Sequence, residues 1–217
     1  MYDLTVARLD SPSGVARRST LAVVAALALF AALFVAVPLA GQHGARVIHR
    51  NLAELVGDAG IIVHGRVLSV RSEPHPQYQN LMTVVVTLDV IELLKGQSGA
   101  PFTYRQYVWD QRDAQSRLGY KVGDEVLLLM TTPHPQTGLS SPAGLEQGRF
   151  RFSLDAQGNR LVSNGFNNGQ LFRGMDPASN SKLQSLNVQA RTMVTQHRSG
   201  PIAYDQLKSV IQALAAN

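Results

Sequence analysis

The chain has 217 residues, 45% of them hydrophobic and 16% charged, with a formal charge of +5. That composition belongs to a folded protein rather than a disordered one, and the length suits one domain with an appendage. There is no cysteine, which excludes disulfides, thiolate metal sites, covalent c-type haem and a cysteine nucleophile.

Residues 1–20 carry Arg8, Arg17 and Arg18 against Asp3 and Asp10. Residues 21–40 follow as twenty positions with no charge and no strongly polar side chain. As a helix rising about 1.5 Å per residue they span roughly 30 Å, the thickness of a bilayer core. Two readings stand. A cleaved signal peptide needs a short basic start, a shorter apolar run and a small-x-small cut. Here the leading segment is long, and a cut after Ala40 places Pro38 three residues before it. An uncleaved signal anchor fits better. Arg17-Arg18 also echoes a twin-arginine export signal. The arginines before the run place the N-terminus in the cytoplasm and the rest of the chain outside it.

The spacing of Ile48, Leu52, Leu55 and Val56 predicts an amphipathic helix over 46–58. Residues 61–71 are β-branched and predict a strand, with Gly65 marking a bulge. His64 reads there as an ordinary strand side chain. Pro74 and Pro76 break the chain into a loop. Over 82–92, Met82, Val84, Val86, Leu88 and Val90 alternate with polar positions, the clearest strand of all. A third strand follows over 102–109, then a polar stretch over 110–120 that reads as loop or short helix. Residues 125–130 are almost wholly apolar and predict a strand buried on both faces. After a Pro- and Gly-rich loop, Arg149-Phe150-Arg151-Phe152 alternates again, phenylalanines inward and arginines outward. A turn at 155–159 leads into 160–162. Residues 164–174 are turn-like. Asp176-Pro177 is a candidate helix cap, and the stretch to 198 has no clear period. Leu207, Val210, Ile211 and Leu214 predict a closing helix over 204–215.

This order predicts a mainly β, α+β fold. It is read as a small OB-like Greek-key barrel with flanking helices over 46–165, preceded by the transmembrane or signal helix. A C-terminal extension over 166–217 ends in the amphipathic helix. The segments Ala59-Gly60-Ile61-Ile62-Val63-His64-Gly65-Arg66-Val67, Glu92-Leu93-Leu94-Lys95-Gly96, Gly123-Asp124-Glu125-Val126-Leu127-Leu128-Leu129 and Gly148-Arg149-Phe150-Arg151-Phe152 resemble bacterial envelope proteins. Those proteins carry OB-like or netrin-like barrels, and the likeness covers 59–162. It implies a fold and a location but no catalysis. The animal metalloproteinase inhibitors that resemble this barrel act through an N-terminal cysteine, which this chain lacks.

Among the loops, Pro74-His75-Pro76-Gln77 recurs as Pro133-His134-Pro135-Gln136. In an OB-like barrel both loops rim one binding face, so His75, Gln77, His134 and Gln136 are the candidate partner contacts. Two histidines are too few for a stable zinc site, and no metal or cofactor is expected. No nucleophile elbow, zinc-binding helix or phosphate loop occurs, so no catalytic residue is assigned. Residues 41–217 hold 17 basic and 13 acidic side chains with no dense basic stripe, so nucleic acid is not expected. The resulting expectation is a non-enzymatic, single-pass protein of the inner membrane. Its extracytoplasmic domain would bind a protein partner, as an accessory subunit of a membrane complex. The alternatives are a secreted binding or inhibitor-like protein, released by cleavage, and a hydrolase with an unrecognised site.

Overall fold

A computed structural model describes residues 48–108 and 110–216. The apolar segment 21–40 and the residues before it lie outside this range. Among the described residues, no helix is long and apolar enough to cross a membrane.

The first helix, α1, runs Leu52–Asp58. It begins at Asn51 because a capping box forms there. Asn51 Oδ1 accepts from Glu54 N–H at 3.0 Å, and Glu54 Oε2 accepts from Asn51 N–H at 2.8 Å, which satisfies two otherwise orphaned donors. Leu52, Leu55 and Val56 are buried. Ile48 is not part of that face: it precedes the cap and is exposed.

Seven antiparallel strands follow, interrupted by short helices: β1 (Ala59–Pro74), β2 (Met82–Lys95), β3 (Phe102–Tyr107), β4 (Glu125–Thr131), β5 (Arg149–Leu154), β6 (Arg160–Asn164) and β7 (Ile202–Ala203). They form one sheet in the order β3-β2-β1-β4-β5-β6-β7. The mainly β, α+β class is therefore observed. The closed barrel is not. Among the described residues, β3 and β7 are edges that do not pair, and β3 meets no strand on its outer side. Instead the loop between β4 and β5 crosses the gap through isolated bridges, Arg105 with Leu139 and Met130 with Pro142. This gap is called the seam below.

Gly65 sits at a register slip between β1 and β2. A Cβ there would lie 2.6 Å from the Asp89 carbonyl oxygen, so the strands approach this closely only with glycine. The apolar run of β4 divides by alternation. Leu127 and Leu129 enter one core, while Val126, Leu128 and Met130 enter the other. β2 is likewise buried on both sides at its centre, with Thr83 and Val85 inside as well as Val84 and Val86. Met82, expected inward, is exposed.

The second core lies on the curled face of the sheet, against α2 (Gln111–Gln115). The first core lies on the other face, under α1, α3 (Ser181–Gln184), α4 (Val188–Gln196) and α5 (Tyr204–Ala215). Leu171, Leu183, Val194, Leu207 and Ile211 share it with Leu127 and Phe150, so residues 166–217 complete the core of the sheet. Asp176 caps a turn, accepting from Ala178 N–H and Ser179 Oγ–H. The cap of α3 is Asn180 and that of α4 is Asn187.

Candidate functional site

Three polar groupings carry chemistry-bearing side chains: a cluster under α5, a cleft along the seam, and the paired histidine loops.

The cluster under α5 gathers residues from across the sheet. His64 of β1 is 1% exposed. Its Nε2 lies 2.7 Å from Glu125 Oε1, and its Nδ1 lies 3.1 Å from the Tyr204 hydroxyl. A carboxylate only accepts, and a guanidinium donor, Arg160 Nη2, lies 3.1 Å from the same Nε2. The same phenol is 3.2 Å from Glu92 Oε2, whose other oxygen meets Lys208 Nζ at 2.5 Å. Arg160 pairs with Glu125 and lies over the rings of Phe152 and Tyr204, at 4.7 and 4.9 Å. Phe152 stacks on His64 at 4.8 Å. Burial holds His64 below its ordinary range, against the upward pull of Glu125. Burial pulls Glu92 upward, but Lys208 and Tyr204 carry it below the usual carboxylate range. Burial first, then Glu92, pushes the Tyr204 phenol well up. A phenol so hard to ionise is a poor nucleophile or base. Every polar group here has a partner, so the cluster fastens α5 to the sheet.

The seam is different. A cleft of about 560 Å³ opens beside β3, walled by Gln106, Asp113, Leu118, Ser140, Glu146 and Arg149 among others. Arg149 is 4% exposed, which corrects the outward placement expected for it. Alternation does put it opposite the buried Phe150, but the turn at 117–119 covers it. Its guanidinium lies 4.3 Å over the Tyr120 ring, donates to the Leu118 carbonyl at 2.6 Å and pairs with Glu146 at 2.5 Å. Burial opposes its charge, while Tyr120 and Glu146 hold it fully protonated. Next to it Tyr104 and Tyr120 are buried, and burial raises both phenols. Their hydroxyls lie near each other, yet neither closes a hydrogen bond of normal geometry. Among the described residues, Gln106 Oε1 is also buried without a partner. Unpaired polar atoms of this kind cost about 1–3 kcal/mol each. Ser140 is no free nucleophile, because its hydroxyl donates to the Thr131 carbonyl at 2.7 Å.

The histidine loops touch. His75 is buried, and its Nδ1 accepts from the N–H groups of Gln77 and Tyr78, both at 3.2 Å. Its Nε2–H therefore donates to the Thr137 carbonyl in the second loop, at 2.8 Å. That ring is an internal fastener rather than an outward contact. Gln77, His134 and Gln136 are exposed. His134 Nδ1 accepts from Gln136 N–H at 3.4 Å. Among the described residues, no three metal-ligating side chains converge.

The sequence patterns did not mark His64, Glu92, Glu125, Arg160 and Tyr204 as a cluster. They lie on five elements, and His64 and Tyr204 are 140 positions apart. Compared with known protein families, with characterised proteins and with solved structures, the chain matches none.

Proposed function

We propose that this chain is a non-enzymatic envelope protein whose β domain binds a protein partner outside the cytoplasm. The apolar segment 21–40 holds it at the membrane. The strand order β3-β2-β1-β4-β5 supports an OB-like, partly open barrel, and the partner seat is the seam. One observation carries this reading: Gln106, whose Oε1 is buried without a partner among the described residues, lines the seam cleft beside the apolar Leu118, Leu139 and Leu145. Such mixed, concave surfaces are where ligands recover the cost of unpaired groups. Of the groups lining the cleft, Glu146 is paired with Arg149 and the Ser140 hydroxyl donates to the Thr131 carbonyl, so the reading is binding rather than catalysis.

Native purification with and without seam substitutions tests it. Asp113→Lys with Leu145→Glu alters two exposed positions of the wall and leaves the core alone. The expected result is loss of a copurifying protein with an unchanged melting curve. A partner retained at full yield removes the seam from the reading. N-terminal sequencing of the native protein decides between anchor and release: an intact Met1 supports the anchor, and a start near Gly41 overturns it.

A further inference from the structure

The excess positive charge of the chain is not spread evenly. Residues 164–203 hold Arg173, Lys182, Arg191 and Arg198 against the single acid Asp176, a balance of four against one, or +3. Three of these arginines stand at two adjoining clefts under the C-terminal helices. One cleft, of about 540 Å³, is lined by Gln170, Arg173, Asp176, Thr195, His197 and Arg198 among others. Its neighbour, of about 440 Å³, shares Asp176 and Thr195 and adds Arg191.

These guanidinium groups differ from Arg149 in one respect. Among the described residues, none of Arg173, Arg191 and Arg198 forms an ion pair. Arg173 is steered by the neutral Gln170 side-chain oxygen at 3.1 Å. Arg198 is steered by the carbonyls of Thr195 and His197, at 3.0 and 3.4 Å. Each uses only Nη1 for this, and a guanidinium carries five N–H donors. The Nε and Nη2 donors remain for a ligand. Asp176 lines the same cleft; its two carboxylate oxygens accept from Ala178 N–H and Ser179 Oγ–H, and its charge leaves the two arginines Arg173 and Arg198 one positive charge in excess. His197 also lines the cleft, and its Nε2 is buried without a partner among the described residues.

The bland account of Arg198 is a cation at the C-terminal end of α4, worth about 0.3–1 kcal/mol at an exposed helix end. It accounts for Arg198 but not for Arg173, which lies on another segment. It also leaves charge unspent, since a helix end offers roughly −0.5 of an elementary charge against the one positive charge in excess.

We propose that this cleft binds a phosphate-bearing ligand, with Arg173 and Arg198 as its cationic contacts. Arginine forks match phosphate oxygens in pairs; a phosphate monoester brings roughly −1.5 to −2 of charge, and the phosphodiester of a lipid headgroup about −1. The phosphate belongs either to a soluble molecule or to a lipid headgroup at the membrane surface. The site is separate from the seam, so either reading can fail alone.

The test uses the full chain in a neutral detergent and follows the arginine Nε–Hε signals by NMR. Inorganic phosphate is titrated first, then monomeric short-chain phosphatidylglycerol, with short-chain phosphatidylcholine as control. Saturable shifts of the Arg173 and Arg198 signals with phosphate support the site with a soluble source. Shifts with phosphatidylglycerol alone support it with a headgroup source. In R173Q/R198Q the apparent Kd is expected to rise roughly tenfold or more, while K182Q, outside the lining, is expected to bind unchanged. No saturable shift with either probe, or binding that survives in R173Q/R198Q, overturns the proposal. The fold of the double variant is checked by its backbone spectrum, and R173K/R198K separates charge from fork: intermediate affinity is expected.

Discussion

His64 and Arg149 are polar side chains sunk on opposite faces of the same sheet. Around His64, each donor finds an acceptor, and the groups come from four strands and a helix. Around Arg149 the guanidinium is satisfied, but two phenols and one amide oxygen beside it are not. A closed polar network in a low-dielectric interior rigidifies the joint it occupies, whereas an open one stores free energy that a ligand can release. The contrast separates a closed polar joint from an open one without any recognised motif.

Helix α5 is the element that makes the His64 cluster possible, so its packing gives the largest expected effect. Leu207 is fully buried on its inner face. Leu207→Ala is expected to cost about 2–5 kcal/mol, read by urea denaturation. Its amides and those of the β1 centre should lose hydrogen-exchange protection together. If only α5 loses protection, the helix is an independent unit and the cluster is not what joins it to the sheet.

Next in size comes the direct comparison of phenols. Tyr204→Phe removes the hydroxyl beside His64 Nδ1 and Glu92, leaving Glu92 with Lys208 and Nδ1 without a partner, and about 1–3 kcal/mol of destabilisation is expected. Tyr104→Phe removes a hydroxyl that has no partner, so a neutral or stabilising change is expected. Equal losses in the two variants would erase the distinction between the faces.

Acid probes the same distinction. His64 is held below its ordinary range by burial. A histidine depressed in the folded state contributes stability that is complete above its unfolded value of about 6.5 and is lost as the pH falls below it. Glu92 is also depressed, so its contribution is present above the ordinary carboxylate range and is lost at lower pH, through its folded value. Stability is therefore expected to decline from about pH 6.5 downward, by at most about 1.4 kcal/mol per pH unit for each proton taken up. His64→Gln is expected to flatten the upper part of this slope. A variant with an unchanged profile would place the acid sensitivity elsewhere.

Much of the framework was legible because it depends on local period. Leu207, Val210 and Ile211 mark α5, and all three are buried. Gly65 marks a bulge because strands crowd there. The Asn180- and Asn187-capped helices were not legible, since four and nine residues are too few to show a period. Closure of the barrel was misjudged because it depends on what β3 meets on its outer side. The Ser140 N–H reaches the Arg105 carbonyl there at 2.9 Å, and a loop takes the place of a strand. Alternation assigned Arg149 to the correct face but not to the correct depth, which the turn at Leu118 decides. The His64 cluster had no local signal at all: its members share neither segment nor spacing, and only the register of β1 with β2 and β4 brings His64 opposite Glu92 and near Glu125.

The smallest effect on stability is expected where the histidine loops face solvent. Gln77, His134 and Gln136 are exposed, and replacing all three by alanine should change stability by no more than about 0.5 kcal/mol. His75→Ala is different. It removes the donor to Thr137 and the acceptor for Gln77 and Tyr78, so a loss of about 1–3 kcal/mol is expected. It should also free the loop that bounds the seam at Ser140. Copurification then separates the two surfaces. If the triple variant keeps its partner while Asp113→Lys with Leu145→Glu loses it, the partner sits in the cleft and the loops only shape its rim. If the triple variant loses the partner at full stability, the recurring Pro-His-Pro-Gln loops are the contact and the seam is their support.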